Sequence, residues 1–196
     1  MNKNILKIVG GIVGVIVLML GTVFIMTKAG VDFSSVIKFA VSFEEKAKRQ
    51  SPPATASGSI QGTSIAVEYS QPTKNGREIF GKLIPYGEMW RTGANEATEI
   101  TVSKDVIVAG KLLKAGRYEL FTIPTAEKWT IIINSKLGQW GDFYYDPKSD
   151  VLRVEVPSQM NDTVLERLTL QIETVPVEGL SIAWDKTRVF VPITAP

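Results

Sequence analysis

The sequence predicts a mainly β protein: an antiparallel β-sandwich or jelly-roll-like domain preceded by one transmembrane helix and a juxtamembrane helix. Three observations predict it. Ile8–Thr27 is an uncharged apolar run, long enough at about 1.5 Å per residue to cross a hydrocarbon core of about 30 Å. From residue 59 onward, short segments alternate apolar and polar residues and are punctuated by Gly, Pro, Asn and Asp, the pattern of strands in a sandwich or barrel. That region shows no βαβ rhythm, no phosphate-cradling glycine loop and no internal repeat.

Residues 1–28 read as the anchor. Lys3 and Lys7 precede the apolar run, which favours a cytoplasmic N-terminus and a periplasmic or otherwise extracytoplasmic domain, and Lys28 at its far end reduces the asymmetry. The run is longer than the 7–15 residues of a signal-peptide core, and Thr27-Lys28-Ala29 is a poor cleavage site, so the expected product is an uncleaved single-pass protein. Gly10, Gly14 and Gly21 share one helical face, and Gly10 with Gly14 forms a small-xxx-small pair that lets another helix approach.

Residues 29–50 read as a juxtamembrane amphipathic segment. Within it, Phe33, Val36, Ile37 and Ala40 follow i, i+3, i+4, i+7 spacing, Asp32 suits an N-cap and Lys46, Lys48 and Arg49 suit the C-terminal end. A helix over 33–49 has three possible seats: the bilayer interface, a partner protein or the domain itself. Residues 51–58 read as a linker because they are small and polar with two prolines.

Residues 59–196 then supply one domain. The expected strands are Ser64–Ser70, Glu99–Ser103 paired with Val106–Val108 across Lys104-Asp105, and Arg117–Ile123. They continue with Trp129–Asn134, Val151–Val156, Leu165–Glu173, Leu180–Asp185 and Arg188–Ile193. Val108-Ala109-Gly110-Lys111-Leu112 suggests a turn, and the one helix-like piece is Ile79–Leu83.

Composition excludes several chemistries. The chain has no His and no Cys, which removes the Ser-His-Asp triad, a Cys nucleophile, His- or Cys-ligated zinc, His-ligated haem and iron–sulfur clusters. Residues 1–58 carry seven Lys or Arg and three Asp or Glu, whereas residues 59–196 carry fifteen and seventeen. The basic excess therefore belongs to the anchor region, and no nucleic-acid binding is expected of the domain.

The stretch Asn75–Thr98 is least explained by sheet periodicity, and long non-strand connections in compact β domains are often functional. Arg77 and Arg91 can fork onto a carboxylate or phosphate, Asn95 and Glu96 can orient hydroxyls, and Tyr86 and Trp90 can stack on an apolar or sugar face. The same residues also suit a structural role, with Arg91 paired to Glu96 and with Trp90, Met89 and Phe80 plugging one end of the sandwich. Asp142, Asp146, Ser149 and Asp150 offer oxygen ligands but fit no calcium-loop spacing. Glu88, Glu96 and Glu99 are the carboxylates available for acid–base work. No catalytic residue, metal or cofactor is assigned.

The runs Gly76-Arg77-Glu78-Ile79-Phe80-Gly81, Pro85-Tyr86-Gly87, Trp90-Arg91-Thr92-Gly93-Ala94-Asn95-Glu96-Ala97-Thr98 and Ala115–Pro124, with the strand at Trp129, resemble a bacterial exported family known only as a domain of unknown function. The resemblance covers roughly residues 51–157. It implies an exported β-rich domain and no particular activity. Residues 1–50 depart from the cleavable signal of that family's relatives. The leading expectation is a non-catalytic, membrane-anchored extracytoplasmic module that contacts another membrane or envelope protein as an accessory subunit. The alternative is a binding domain for a sugar or anionic small ligand at the Arg77/Trp90–Glu96 loop, and a carboxylate-based hydrolase ranks below both.

Overall fold

A computed structural model of the protein describes residues 45–46 and 48–196. The chain divides into two compact units, Met1–Lys48 and Arg49–Pro196. The apolar run Ile8–Thr27, the glycines Gly10, Gly14 and Gly21 and most of segment 29–50 lie outside the described residues. Among the described residues, no helix is long and apolar enough to cross a membrane.

The second unit is mainly β, as the alternating pattern requires. Its nine strands are β1 (Pro53–Ile60), β2 (Thr63–Ser70), β3 (Thr98–Val102), β4 (Val106–Val108), β5 (Lys111–Leu113), β6 (Gly116–Pro124), β7 (Lys128–Asn134), β8 (Asp150–Glu173) and β9 (Gly179–Thr194). A single 3-10 turn, Pro147–Ser149, precedes β8. All pairings between strands are antiparallel and the order is β1-β2-β3-β6-β7-β8-β9-β4-β5.

Alternation sets which side chains enter the core. Ile65, Val67 and Tyr69 of β2 point inward with Ile100 and Val102 of β3, Ile131 and Ile133 of β7, and Leu152, Val154 and Val156 of β8. β8 is the hinge of the architecture. Its first part pairs with β7, and beyond irregularities between Met160 and Leu165 and between Leu165 and Thr169 its later part pairs with β9. Such bulges bend a strand and increase its twist, so the sheet turns over on itself in a sandwich-like arrangement. β1 packs against the later part of β8 closely enough that a Cβ on Gly58 would lie 2.7 Å from Ile172 Cγ2. Leu168, Leu170, Leu180, Ile182, Trp184, Val189 and Val191 close the same core.

Three expectations are corrected. Residues 51–58 do not form a linker: most of them belong to β1, where Ala56 is buried and the two prolines stand at the start of an edge strand that needs few donors. The segment Glu99–Ser103 does not pair with Val106–Val108. β3 lies between β2 and β6, whereas β4 pairs with β5 and β9. Asp105 accounts for this, because its carboxylate accepts hydrogen bonds from the Ala115 amide (2.9 Å) and Lys114 Nζ (2.8 Å) instead of closing a hairpin at 104–105. The hairpin is closed by Ala109 (φ 44°) and Gly110 (φ 85°), whose two positive φ angles match a two-residue type I′ turn. Ile79–Leu83 is a series of turns rather than a helix.

The outer face of the sheet carries a smaller apolar cluster of Ala97, Phe121 and Ile132. Tyr145, from the connection between β7 and β8, sets its ring on Phe121 at 5.2 Å. Glu119 of β6, only 1% exposed, accepts hydrogen bonds from the Gln139 backbone amide (2.8 Å) and side-chain amide (2.5 Å) and so fastens the same connection.

Candidate functional site

The connection from β2 to β3, residues 71–97, builds the site. Asn75 (φ 49°) and Gly76 (φ 71°) make a tight turn, the geometry for which Asn-Gly is suited. Glu166 holds this turn through its carbonyl, which accepts from Lys74 N, and its carboxylate, which accepts from Asn75 N. Arg77 folds back and donates from Nε and Nη2 to the carbonyls of Lys74 and Thr73, which fixes its guanidinium plane. Further along, Trp90 and Thr122 exchange backbone hydrogen bonds of 2.8 and 2.9 Å, docking the loop onto β6.

Trp90 turns its ring into the core, where its Nε1 donates to the Gly93 carbonyl at 3.0 Å. It stacks on Trp184 with 6.2 Å between ring centroids and an interplanar angle of 21°, backed by Phe80 and Trp129. Thr92 adopts φ 56° while fully buried. A β-branched residue in the left-handed region is strained by about 1–3 kcal/mol and must be held by its surroundings. Here its hydroxyl donates to Thr122 Oγ1 at 3.1 Å and its carbonyl accepts from Thr98 Oγ1 at 2.9 Å. Asn95 (φ 59°) donates from Nδ2 to the Ser51 carbonyl and to Ser70 Oγ.

This scaffold borders a cavity of about 270 Å³ that opens to solvent. Trp90, Trp184, Leu83, Ile84 and Pro72 form its apolar lining, and Arg77, Arg91, Asn75 and Asn95 its polar lining, with Gln50 and Ser51 at the start of the unit. Two arginines are among its lining residues and no Asp or Glu is. Arg91 Nη1 donates to the Asn95 carbonyl over 3.2 Å, while its Nε is buried without a hydrogen-bond partner. A buried donor left unpaired costs about 1–3 kcal/mol, so Arg91 is not optimised for holding the loop.

Of the six candidate ligand-binding residues, the structure brings Arg77, Trp90, Arg91 and Asn95 together around this cavity. Tyr86 is not among the lining residues and is half exposed, its ring lying over Gly81. Glu96 is also outside the lining and pairs with Arg49 at 2.7 Å. Arg91 therefore does not rely on Glu96 as its partner.

The other polar candidates have separate duties. Asp146 caps the 3-10 turn, and Asp150 accepts hydrogen bonds from Asn134, Tyr145 and Arg153. Among the described residues, no group of three or more acidic side chains is placed to hold a metal ion. Glu99 pairs with Arg117 and stands directly opposite Glu119 across β3 and β6. Burial, with repulsion from Glu99 adding to it, raises the Glu119 carboxyl above the ordinary carboxylate value.

Sequence reasoning missed Trp184 as a wall of the cavity and Glu119 as a buried acid. Trp184 had the signal of an inward strand residue, which alone does not show that it borders a void. Glu119 lies on the outward face by alternation, and only the β7–β8 connection folding over that face buries it.

Fold and cavity together define an antiparallel, sandwich-like β domain with a small cationic pocket roofed by its β2–β3 connection. The chain belongs to the family described as Protein of unknown function (DUF2911), whose model matches residues 51–193. The match extends past residue 157 to include the later part of β8 and nearly all of β9. No curated protein and no solved structure matches the chain.

Proposed function

We propose that this protein is a membrane-anchored, extracytoplasmic binding domain that takes a small anionic ligand, such as a carboxylate or a sugar acid, between Arg77 and Arg91. One observation carries this reading: a concave site whose lining includes two arginines and no Asp or Glu. Planar guanidinium groups suit carboxylate and phosphate oxygens. The stacked indoles of Trp90 and Trp184, at most 4% exposed, form the apolar back wall of the site. The volume, about 270 Å³, is just below the range of about 300–1,000 Å³ usual for drug-sized ligands, which favours a small molecule.

The anchor reading is supported by the length of Ile8–Thr27 and the lysines that precede it. Export agrees with the family resemblance of the Trp90–Thr98 run. The face Gly10, Gly14, Gly21 of the anchor is proposed as the contact with another membrane or envelope protein. Co-purification of full-length protein from its native membrane, with Gly10→Ile/Gly14→Ile as the comparison, tests that contact, and an unchanged partner set contradicts it. Thermal denaturation of the full-length protein against inorganic phosphate, small mono- and dicarboxylates and sugar acids tests the pocket. At least one is expected to raise the melting temperature in a saturable way, and no shift with any of them counts against an anion site.

A further inference from the structure

The β7–β8 connection, residues 135–149, has its own architecture. Its inner side is clamped at three points: Gln139 on Glu119, Tyr145 on Phe121, Asp150 and Arg153, and Asn134 on Asp146 and Asp150. Its outer side carries Phe143, 77% exposed, Tyr144, 68%, and Trp140, 50%. Leu137 is exposed beside them, and Lys136 donates from Nζ to the Tyr144 carbonyl. Four large, exposed apolar side chains within eight residues of a tied-down segment mark an interaction surface rather than a loose loop.

Its position in the fold identifies the occupant. Arg49, the first residue of the second unit, places its guanidinium 5.6 Å from the centre of the Trp140 ring and pairs with Glu96, whose backbone bridges Trp140. The second unit therefore begins beside the exposed Trp140. Trp and Tyr, apolar in body and polar at one edge, concentrate at the level of lipid headgroups, and lysine stems reach there too.

We propose that Trp140, Phe143 and Tyr144 seat the domain in the headgroup region of the bilayer that holds the anchor. This rests on the anchor reading above. The lipid surface is the occupant, and the seat fixes the orientation of the domain relative to the membrane.

The four tryptophans make the test direct. Trp90, Trp129 and Trp184 are at most 4% exposed, so Trp140 is the indole that lipid can reach. Full-length protein is reconstituted into phosphatidylcholine/phosphatidylglycerol vesicles with and without brominated acyl chains, and flotation is measured on the same samples. The proposal expects flotation, bromolipid quenching that disappears in Trp140→Phe, and quenching reduced by about half or more in Phe143→Ser/Tyr144→Ser, whose side chains are exposed in the fold. Flotation without Trp140 quenching overturns the lipid seat and leaves the anchor standing. Loss of a co-purifying envelope protein in the double variant would then make the loop a protein contact. Failure to float overturns the anchor and the seat together.

Discussion

Replacing Arg91 with Met separates binding from folding. Met keeps an apolar stem and removes the guanidinium group. The stability lost is one long hydrogen bond, Nη1 to the Asn95 carbonyl at 3.2 Å, worth about 0.5–1.5 kcal/mol. The stability recovered is the cost of burying Nε unpaired, about 1–3 kcal/mol. At mid-range the second exceeds the first by about 1 kcal/mol, so the ligand-free variant should melt about 2–4 °C above wild type, taking about 2–4 °C per kcal/mol for a domain of this size. An anion at a hundred times its dissociation constant stabilises wild type by about 2.7 kcal/mol, or about 5–10 °C. Arg91→Met should lose most of that shift. Circular dichroism melts of the full-length protein in mild detergent, with and without the most stabilising anion, read both quantities. A ligand-free variant that melts more than about 6 °C below wild type would refute the reasoning, because Arg91 would then be a structural arginine.

Other predictions follow from the packing. Glu119 is buried and its carboxyl is raised, so its contribution to stability is fullest below the ordinary carboxylate value and is lost as the pH rises through its folded value. Melting temperatures of Glu119→Gln and wild type from pH 4 to 8 should thus diverge in the variant's favour as pH rises, and a flat or opposite trend contradicts the assignment. Gly58→Ala places a Cβ against Ile172 and should cost about 1–3 kcal/mol by urea denaturation; adding Ile172→Ala should relieve the clash, visible as a non-additive double-mutant cycle. Ala109→Asn converts the β4–β5 turn to Asn-Gly and should raise stability by about 0.5 kcal/mol, a gain of one or two degrees in melting temperature.

What was legible in the sequence was local. Alternation placed β2, β6 and β7 correctly, whereas the expected strands Leu180–Asp185 and Arg188–Ile193 are one continuous strand, β9, that pairs with β8. Its failures have physical causes. β1 escaped because Ala54-Thr55-Ala56-Ser57-Gly58 has little apolar volume to alternate, yet small residues are what the close approach to Ile172 demands. The β3–β4 hairpin was a false pairing because adjacency in sequence cannot reveal that Asp105 is engaged by Lys114 and Ala115. Arg77, Trp90, Arg91 and Asn95 were legible as candidates because they fall in the long stretch without strand periodicity. The cavity was not legible, since it also needs Trp184 from β9 and Gln50 and Ser51 from the start of the unit. Tyr86 and Glu96 share that stretch but take other partners, because turns at Gly81 and Gly87 and the ion pair with Arg49 turn them aside.

The central claim is that the pocket between Arg77 and Arg91 binds a small anion. Trp90 and Trp184 are among the residues lining that pocket, so tryptophan emission of the full-length protein carrying Trp140→Phe, which removes the exposed indole, follows occupancy during titration with phosphate, small carboxylates and sugar acids. The account predicts a saturable change for at least one of these anions, weakened at least about tenfold, or 1.4 kcal/mol, in Arg77→Met and in Arg91→Met. A saturable change of equal affinity with and without either arginine substitution, or no change with any of the anions, would contradict it.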